Sequence, residues 1–434
     1  MAGYHPMSSL VLALALALVA WPSASLAEVE PGDVITPRNC SRVQELLSPG
    51  NFELVRQGMV IKVVPHGRID WPPMYKLATE QYAAQVRLND RGELQNYVAG
   101  LPFPLIDPND PQAGTKAVWN FSYGPQFGDE VEVRNVETFS YRNLGPPGTP
   151  YRWAFPAEWF HSTVGHIAWY NNVGRTEVLP IPRDPNALTT GIRYRYSVGP
   201  VTEPSTAHGQ WLTRIRYLDP AKADFCVYFA LGIVSSGTMD NSLSGTLDPN
   251  SYAGFADKIE DYNYRLLGVA PMLASVHADS SPPKKCAYDD KRTVCPENWE
   301  MRQVYVVEAT PRRGSLFSRR LLYLDSEGWF ITASDQYDRT GALWKTLAIF
   351  NAYRDRSVPT ASQAVYPFKR IFETAIVDED LQSGFSTVSF MPGYEHDERE
   401  GWFIDSGAVS QASMAAMAAS AAASVINAMP GSNR

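Results

Sequence analysis

Residues Trp299–Lys345 read WEMRQVYVVEATPRRGSLFSRRLLYLDSEGWFITASDQYDRTGALWK. Gln303–Ala309 is a β-rich run, and Pro311–Gly314 breaks it. Arg320–Leu324 is a second run, stopped at Asp325-Ser326-Glu327-Gly328. Trp329–Ala333 is a third, followed by the turn Asp338-Arg339-Thr340-Gly341. Ala342–Ala352 then sets Trp344, Thr346, Ala348 and Phe350 against Leu343, Lys345, Leu347 and Ile349. Period-2 patterning between Gly, Asp and Pro breaks marks hairpins. Short successive turns require antiparallel pairing, because parallel strands need long crossovers. The stretch holds no nucleophile motif, metal cluster or phosphate loop, so it reads as a sheet that holds something.

The same pattern extends outward. Met59–Val64, Tyr82–Leu88, Glu130–Val136, Ile192–Tyr196, Trp211–Tyr217 and Phe225–Leu231 read as strands, and Val377–Glu398 as a last hairpin. Ile192, Tyr194 and Tyr196 alternate with Arg193 and Arg195; Trp211, Ile215 and Tyr217 alternate with Arg214 and Arg216. A greasy face opposite a charged one predicts a half-buried antiparallel sheet whose apolar side needs a cover. Pro37–Leu47 predicts a short helix ended by Ser48-Pro49-Gly50. Tyr97–Trp119 reads as a long Pro- and Asp-rich connection, of a length associated with lids and binding loops.

The first 27 residues read as a secretory signal peptide. Their apolar run Leu10–Trp21 is short for a bilayer span, and Ser25-Leu26-Ala27 offers cleavage after Ala27. Residues 28–405 then form one β domain. Residues 406–434 are an Ala-rich, helix-prone tail. A net charge of −8 argues against a nucleic-acid partner. In an exported chain, Cys286 and Cys295 are expected to form a disulfide, contributing roughly 2–3 kcal/mol on the chain-entropy view. Cys40 and Cys226 stay open between a pair and two buried thiols.

No chemistry-bearing motif stands out. His161 and His166, five apart, fit no standard metal spacing, and no C-x-x-C is present. Asp335/Asp338 and Glu373/Asp378 are acid pairs of a kind common in turns and strands. The sequence carries no G-x-S-x-G elbow, P-loop or dinucleotide fingerprint. No metal, cofactor or enzymatic activity is expected. The candidate walls of a hydrophobic groove are Tyr194, Tyr196, Trp211, Tyr217, Tyr305, Trp329 and Trp344.

Several of these residues carry a family likeness. They are Val306-Val307-Glu308-Ala309-Thr310, then Arg320, Tyr323 and Asp325, then Trp329, Asp335, Tyr337, Asp338, Gly341 and Leu343-Trp344. Upstream, Pro73, Tyr75, Thr79-Glu80, Gly100–Pro104 and Tyr262–Gly268 join them. The chain thereby resembles the exported bacterial domain-of-unknown-function family 1329, an outer-membrane lipoprotein-sorting-like family. The resemblance implies the fold of the LolA and LolB lipoprotein carriers: mainly β, a strongly curved antiparallel sheet forming an incomplete barrel, with a few helices packed at its mouth. It also implies a non-enzymatic, monomeric periplasmic carrier or binding protein for a lipid, lipoprotein or other hydrophobic ligand, with an RND-type transporter as hand-off partner. One departure is Gly232–Gly237, where many relatives carry a basic segment. Two alternatives stay open: a ligand-free adaptor for a transporter, and a carbohydrate-binding or hydrolytic protein on the same frame.

Overall fold

A computed structural model describes residues 29–126, 128–143, 145, 157–230, 233–238, 251–278, 296–356, 367–391 and 401–403. The signal segment, the Cys286–Cys295 pair and the tail after 405 lie outside the described residues. The chain opens with β1 (Val34–Ile35), α1 (Pro49–Gln57), β2 (Ile61–Val63), α2 (Pro73–Tyr82), β3 (Arg87–Leu88), β4 (Leu94–Gln95) and α3 (Ala113–Ser122). Then come β5 (Glu130–Asn143), β6 (Ala157–Asn171), α4 (Ala187–Thr190), β7 (Ile192–Glu203), β8 (Trp211–Tyr217), β9 (Phe225–Ala230) and β10 (Ile233–Thr238). The last third is β11 (Tyr262–Ala274), β12 (Glu297–Pro311), β13 (Arg319–Asp325), β14 (Ile331–Tyr337), β15 (Leu343–Arg354), β16 (Arg370–Asp380), β17 (Phe385–Phe390) and β18 (Gly401–Phe403).

The fold is mainly β. Sixteen strands form one sheet in the order β1-β2-β12-β13-β14-β15-β16-β17-β5-β6-β7-β8-β9-β10, with β11 also on β12 and β18 also on β5. The first and last strands of that path do not pair, so the sheet is not closed into a barrel. Pairing is antiparallel throughout except where β2 meets β12.

Both faces of the sheet are covered. Along β15, Leu347 and Ile349 enter one apolar cluster while Ala348 and Phe350 enter another. The first cluster gathers α3 (Ala117, Val118, Trp119, Phe121), Tyr194, Tyr196 and Phe255–Tyr262. The second gathers α1 (Leu54, Val55) and the 3₁₀ turn Cys40–Leu46. The helices thus pack on both faces: α1 on one and α3 on the other.

Asp335 joins α1 to the sheet. The Ser48 hydroxyl caps the helix by accepting from Asn51 N at 3.0 Å, and Pro49 at the first position suits the helical φ. Gly50 N donates to Asp335 Oδ2 (3.1 Å), and the Thr346 hydroxyl donates to Oδ1 (2.8 Å). A Cβ at Gly50 would sit 1.9 Å from Thr346 Oγ1, so only glycine allows this approach.

Several expectations need correction. The expected helix over Pro37–Leu47 is a 3₁₀ turn, Cys40–Leu46, and Ser48-Pro49-Gly50 not only follows its end but also starts α1, because a Ser cap followed by Pro is a start signal. Tyr82–Leu88 is not a strand: Pro73 opens α2, Ala83–Gln85 continues as a 3₁₀ turn, and extended pairing is confined to Arg87–Leu88. The end of the expected connection Tyr97–Trp119, from Ala113 on, is α3. The third run of the meander begins at Ile331, after a buried Trp329 with φ +56°.

The face expected to be charged and solvated is also buried. Arg193, Arg195, Arg214 and Arg216 are 2–5% exposed. In β7–β8 pairing, Tyr194 stands opposite Arg216 and Tyr196 opposite Arg214, so tyrosines and arginines share a face. Segment 251–257 covers that face and supplies acceptors. Arg214 Nη1 reaches the Ala256 carbonyl at 2.7 Å, and Arg216 reaches the Ala256 and Asp257 carbonyls and forks Asp224. Cys40 and Cys226 are free, buried thiols.

Replacing Asp335 by Ala leaves the Gly50 amide and Thr346 hydroxyl without their acceptor. It should lower stability by about 2–4 kcal/mol in a urea titration, since buried orphaned donors cost about 1–3 kcal/mol each. An unchanged midpoint would contradict the anchoring role.

Candidate functional site

A cavity of about 280 Å³ lies on the tyrosine–arginine face. Strand register builds it. Val198 stands opposite Leu212, and Leu212 opposite Tyr228, which lays one apolar wall across β7, β8 and β9. Leu347 of β15, Ile376 of β16 and Met391 form another. Tyr196 and Tyr252 pack at 4.5 Å between ring centres and close the inner end. Val198 and Tyr228 are 37% and 44% exposed, so the outer end opens to solvent.

The remaining wall is polar. Asp378 stands opposite Thr387, and Ser389 opposite Thr138, which stands opposite Thr163; all line the cavity. The Thr138 and Ser389 hydroxyls are 3.0 Å apart, and Ser140 and Thr387 lie 3.2 Å apart alongside. His166 also lines the cavity; its Nδ1 accepts from Asn135 N, and burial lowers its pKa. Among the described residues, Asp378 is the carboxylate of the lining, and no Lys or Arg joins it.

A larger, open groove of about 1430 Å³ runs between α2, residues 66–71 and residues 102–105. Tyr305 and Trp329 line it, stacked at 5.1 Å. Its rim is mixed in charge, with Arg68, Lys76 and Lys116 near Asp70, Glu80 and Glu327. The positive φ of Trp329 costs about 1–3 kcal/mol and is held by the tight turn at Asp325, whose Oδ1 accepts from Glu327 N and Gly328 N.

The seven candidate wall residues thus divide. Tyr196 and Trp211 line the cavity; Tyr305 and Trp329 line the open groove. Tyr194 stacks on Trp169 at 4.4 Å beside a small inner recess. Tyr217 lies under Lys222, and Trp344 packs on Phe317 and donates to Asp380; neither lines the cavity or the groove. The motif residues support the frame. Arg320 holds Ser251 and Asp257, and Asp325 forks Arg302. Tyr323 donates to Asp335, and Tyr337 stacks under Arg319. Asp338 accepts from Thr340 N and Ala342 N in the turn that uses Gly341 at φ +85°.

Sequence reading passed over Val198, Leu212, Tyr228, Tyr252 and Ile376. Leu212 lies out of phase with the aromatics Trp211 and Tyr217 of its strand, whereas Val198 continues the phase of Tyr194 and Tyr196 beyond the end expected for that strand. Tyr252 carries none, since long-range arginine contacts hold its segment in place.

Glu373 adds a second acid beside the site. Its side chain is 7% exposed, and Oε2 has no hydrogen-bond partner. Burial pushes it up to about 7, and its charge would push the Tyr196 and Tyr252 phenols up in turn. A carboxyl raised above its unfolded value binds its proton more tightly when folded. Its contribution is therefore most favourable below about pH 4.5 and declines as pH rises to about 7. The stability difference between the unsubstituted protein and Glu373→Gln should shift by about 3 kcal/mol across that window, in favour of the variant at higher pH. Parallel curves in urea titrations at pH 4.5 and 7.5 would contradict this.

A family model described as "Protein of unknown function (DUF1329)" matches residues 34–401. An uncharacterized protein of Pseudomonas aeruginosa is 23% identical over 358 residues, covering 77% of this chain and 72% of that protein. Among solved structures, a DUF1329 family protein from Desulfovibrio piger matches with a TM-score of 0.43 at 12% identity, over 71% of this chain and 99% of that one. A putative outer membrane lipoprotein-sorting protein domain from Vibrio parahaemolyticus matches with a TM-score of 0.44 at 14% identity, over 71% and 99%. A LolA superfamily protein from Nitrosomonas europaea matches with a TM-score of 0.32 at 16% identity, over 62% and 89%.

Proposed function

This chain belongs to the DUF1329 family, and we propose that it is a periplasmic, non-enzymatic carrier that holds one hydrophobic ligand in the cavity behind Tyr196 and Tyr252. The observation that carries the reading is the apolar wall made by Val198, Leu212, Leu347, Ile376 and Met391, which stays open to solvent at Tyr228. Each buried CH₂ of a ligand contributes roughly 0.8 kcal/mol, so a chain of ten methylenes gains about 8 kcal/mol before the cost of association. A volume of about 280 Å³ lies at the small end for ligand sites, usually ~300–1,000 Å³, and suits one chain better than a multiply acylated lipoprotein.

A curled sheet supports this reading. Arg216 of β8 and Arg320 of β13 both hold Asp257. Those strands stand eight places apart in the sheet order, roughly 38 Å along a flat sheet at ~4.8 Å per strand. One residue cannot span that distance unless the sheet bends around it. The sequence of the first 27 residues supports export, and no helix among the described residues is long and apolar enough to cross a membrane.

Fluorescence titration of the mature chain with an alkyl-chain probe tests the proposal. Leu347→Trp fills the cavity and should weaken binding by about tenfold or more, while Trp344→Phe, away from the cavity, should leave it unchanged. Equal affinity for all three proteins would contradict the site. A helper role for an RND-type transporter is a further part of the proposal; capture of such a transporter only by ligand-free protein would point to an adaptor instead.

A further inference from the structure

Tyr252 belongs to the walls of two voids. It closes the inner end of the cavity beside Tyr196, and it also lines the inner recess, of about 20 Å³, that lies next to Tyr194. Among the described residues, no other side chain lines both. The recess is walled largely by rings and apolar groups: Phe121, Trp169, Tyr194, Phe255 and Ile259. Its charged members are already held. Arg216 donates to the Ala256 and Asp257 carbonyls and forks Asp224, and the Asp257 carboxylate meets Arg320 and the Tyr262 hydroxyl.

The partition between the two voids is fixed in place. The Tyr252 ring stands 4.5 Å from that of Tyr196 and 6.5 Å from that of Trp169, which in turn stacks on Tyr194. The chain leaves Tyr252 through Ala253 at φ +50° and Gly254 at φ +93°. A Cβ at Gly254 would lie 2.4 Å from Ile331 Cγ2. A non-glycine residue in the left-handed region persists where its surroundings over-determine it. Here Ser251 accepts from Arg320 and Gln336 on one side of Tyr252, and Ala256 accepts from Arg214 and Arg216 on the other.

We propose that Tyr252 sets the chain length of the ligand: its ring is the floor at which the end of an alkyl chain stops, and shortening it joins the cavity to the recess. Each methylene taken out of water strengthens binding by up to about fourfold. A methylene beyond the floor stays in water or forces the rings apart, so it adds nothing or costs affinity. The inference rests on the carrier reading above and deepens it by naming the residue that measures the ligand.

Calorimetric titration of the full mature chain with alkylphosphocholines from octyl to hexadecyl, each below its micelle concentration, tests it. In the unsubstituted protein, affinity should rise by up to about fourfold per methylene and stop rising within the series. Tyr252→Phe keeps the ring and should stop at the same length. Tyr252→Leu and Tyr252→Ala should each carry the rise to a longer member. Two truncations are used so that misfolding of one, visible in its thermal melt, leaves the other to decide. An unchanged stopping length in the folded truncated variants overturns the inference and spares the carrier. So does a rise that continues to hexadecyl in the unsubstituted protein, an outcome that needs no variant. Failure of every member to bind overturns the carrier reading itself.

Discussion

Asp257 is held from two distant parts of the sheet, and the face that carries the cavity depends on that grip. Its carbonyl accepts from Arg216, its carboxylate meets Arg320 at 3.1 Å, and the Tyr262 hydroxyl donates to it as well. Around it, Ser251 accepts from Arg320 and from Gln336, and Ala256 accepts from Arg214 and Arg216. A buried guanidinium that loses its partner costs about 3–5 kcal/mol, so these arginines tolerate only a backbone that brings acceptors to them. Segment 251–257 is that backbone. By fixing it, the arginines place Tyr252 against Tyr196 at one end of the cavity.

The frame was legible because it rests on period-2 patterning. The meander around Arg320–Leu324 and Ala342–Ala352, and the strand Trp211–Tyr217, follow from alternation and turn residues alone. Local signals were misread where two rules compete. Ser48-Pro49 both ends one turn and caps the next helix, and Ala83-Ala84 fits helix as readily as strand. The burial of Arg193, Arg195, Arg214 and Arg216 was not legible at all. Alternating Arg normally marks a wet face, and only acceptors far away in sequence, such as the Asp257 carbonyl 41 residues beyond Arg216, make a dry one tolerable.

The same distinction explains why the family motif describes the frame and not the ligand. Asp335 anchors α1, Asp325 neutralises the buried Arg302, and Arg320 holds the plug segment. The cavity wall is drawn from residues between those landmarks, such as Val198, Leu212, Ile376 and Asp378. Apolar positions can change shape while the landmarks stay, so one frame can present different cavities.

The central claim is that this cavity is filled by a hydrophobic molecule in the native protein. Native mass spectrometry of the mature chain, purified without detergent from the compartment that holds it, tests that claim most directly. The account predicts a one-to-one adduct of the mass of a single-chain amphiphile, lost on solvent extraction and diminished in Leu347→Trp. A clean, ligand-free monomer that also fails to take up an alkyl amphiphile added afterwards would contradict it.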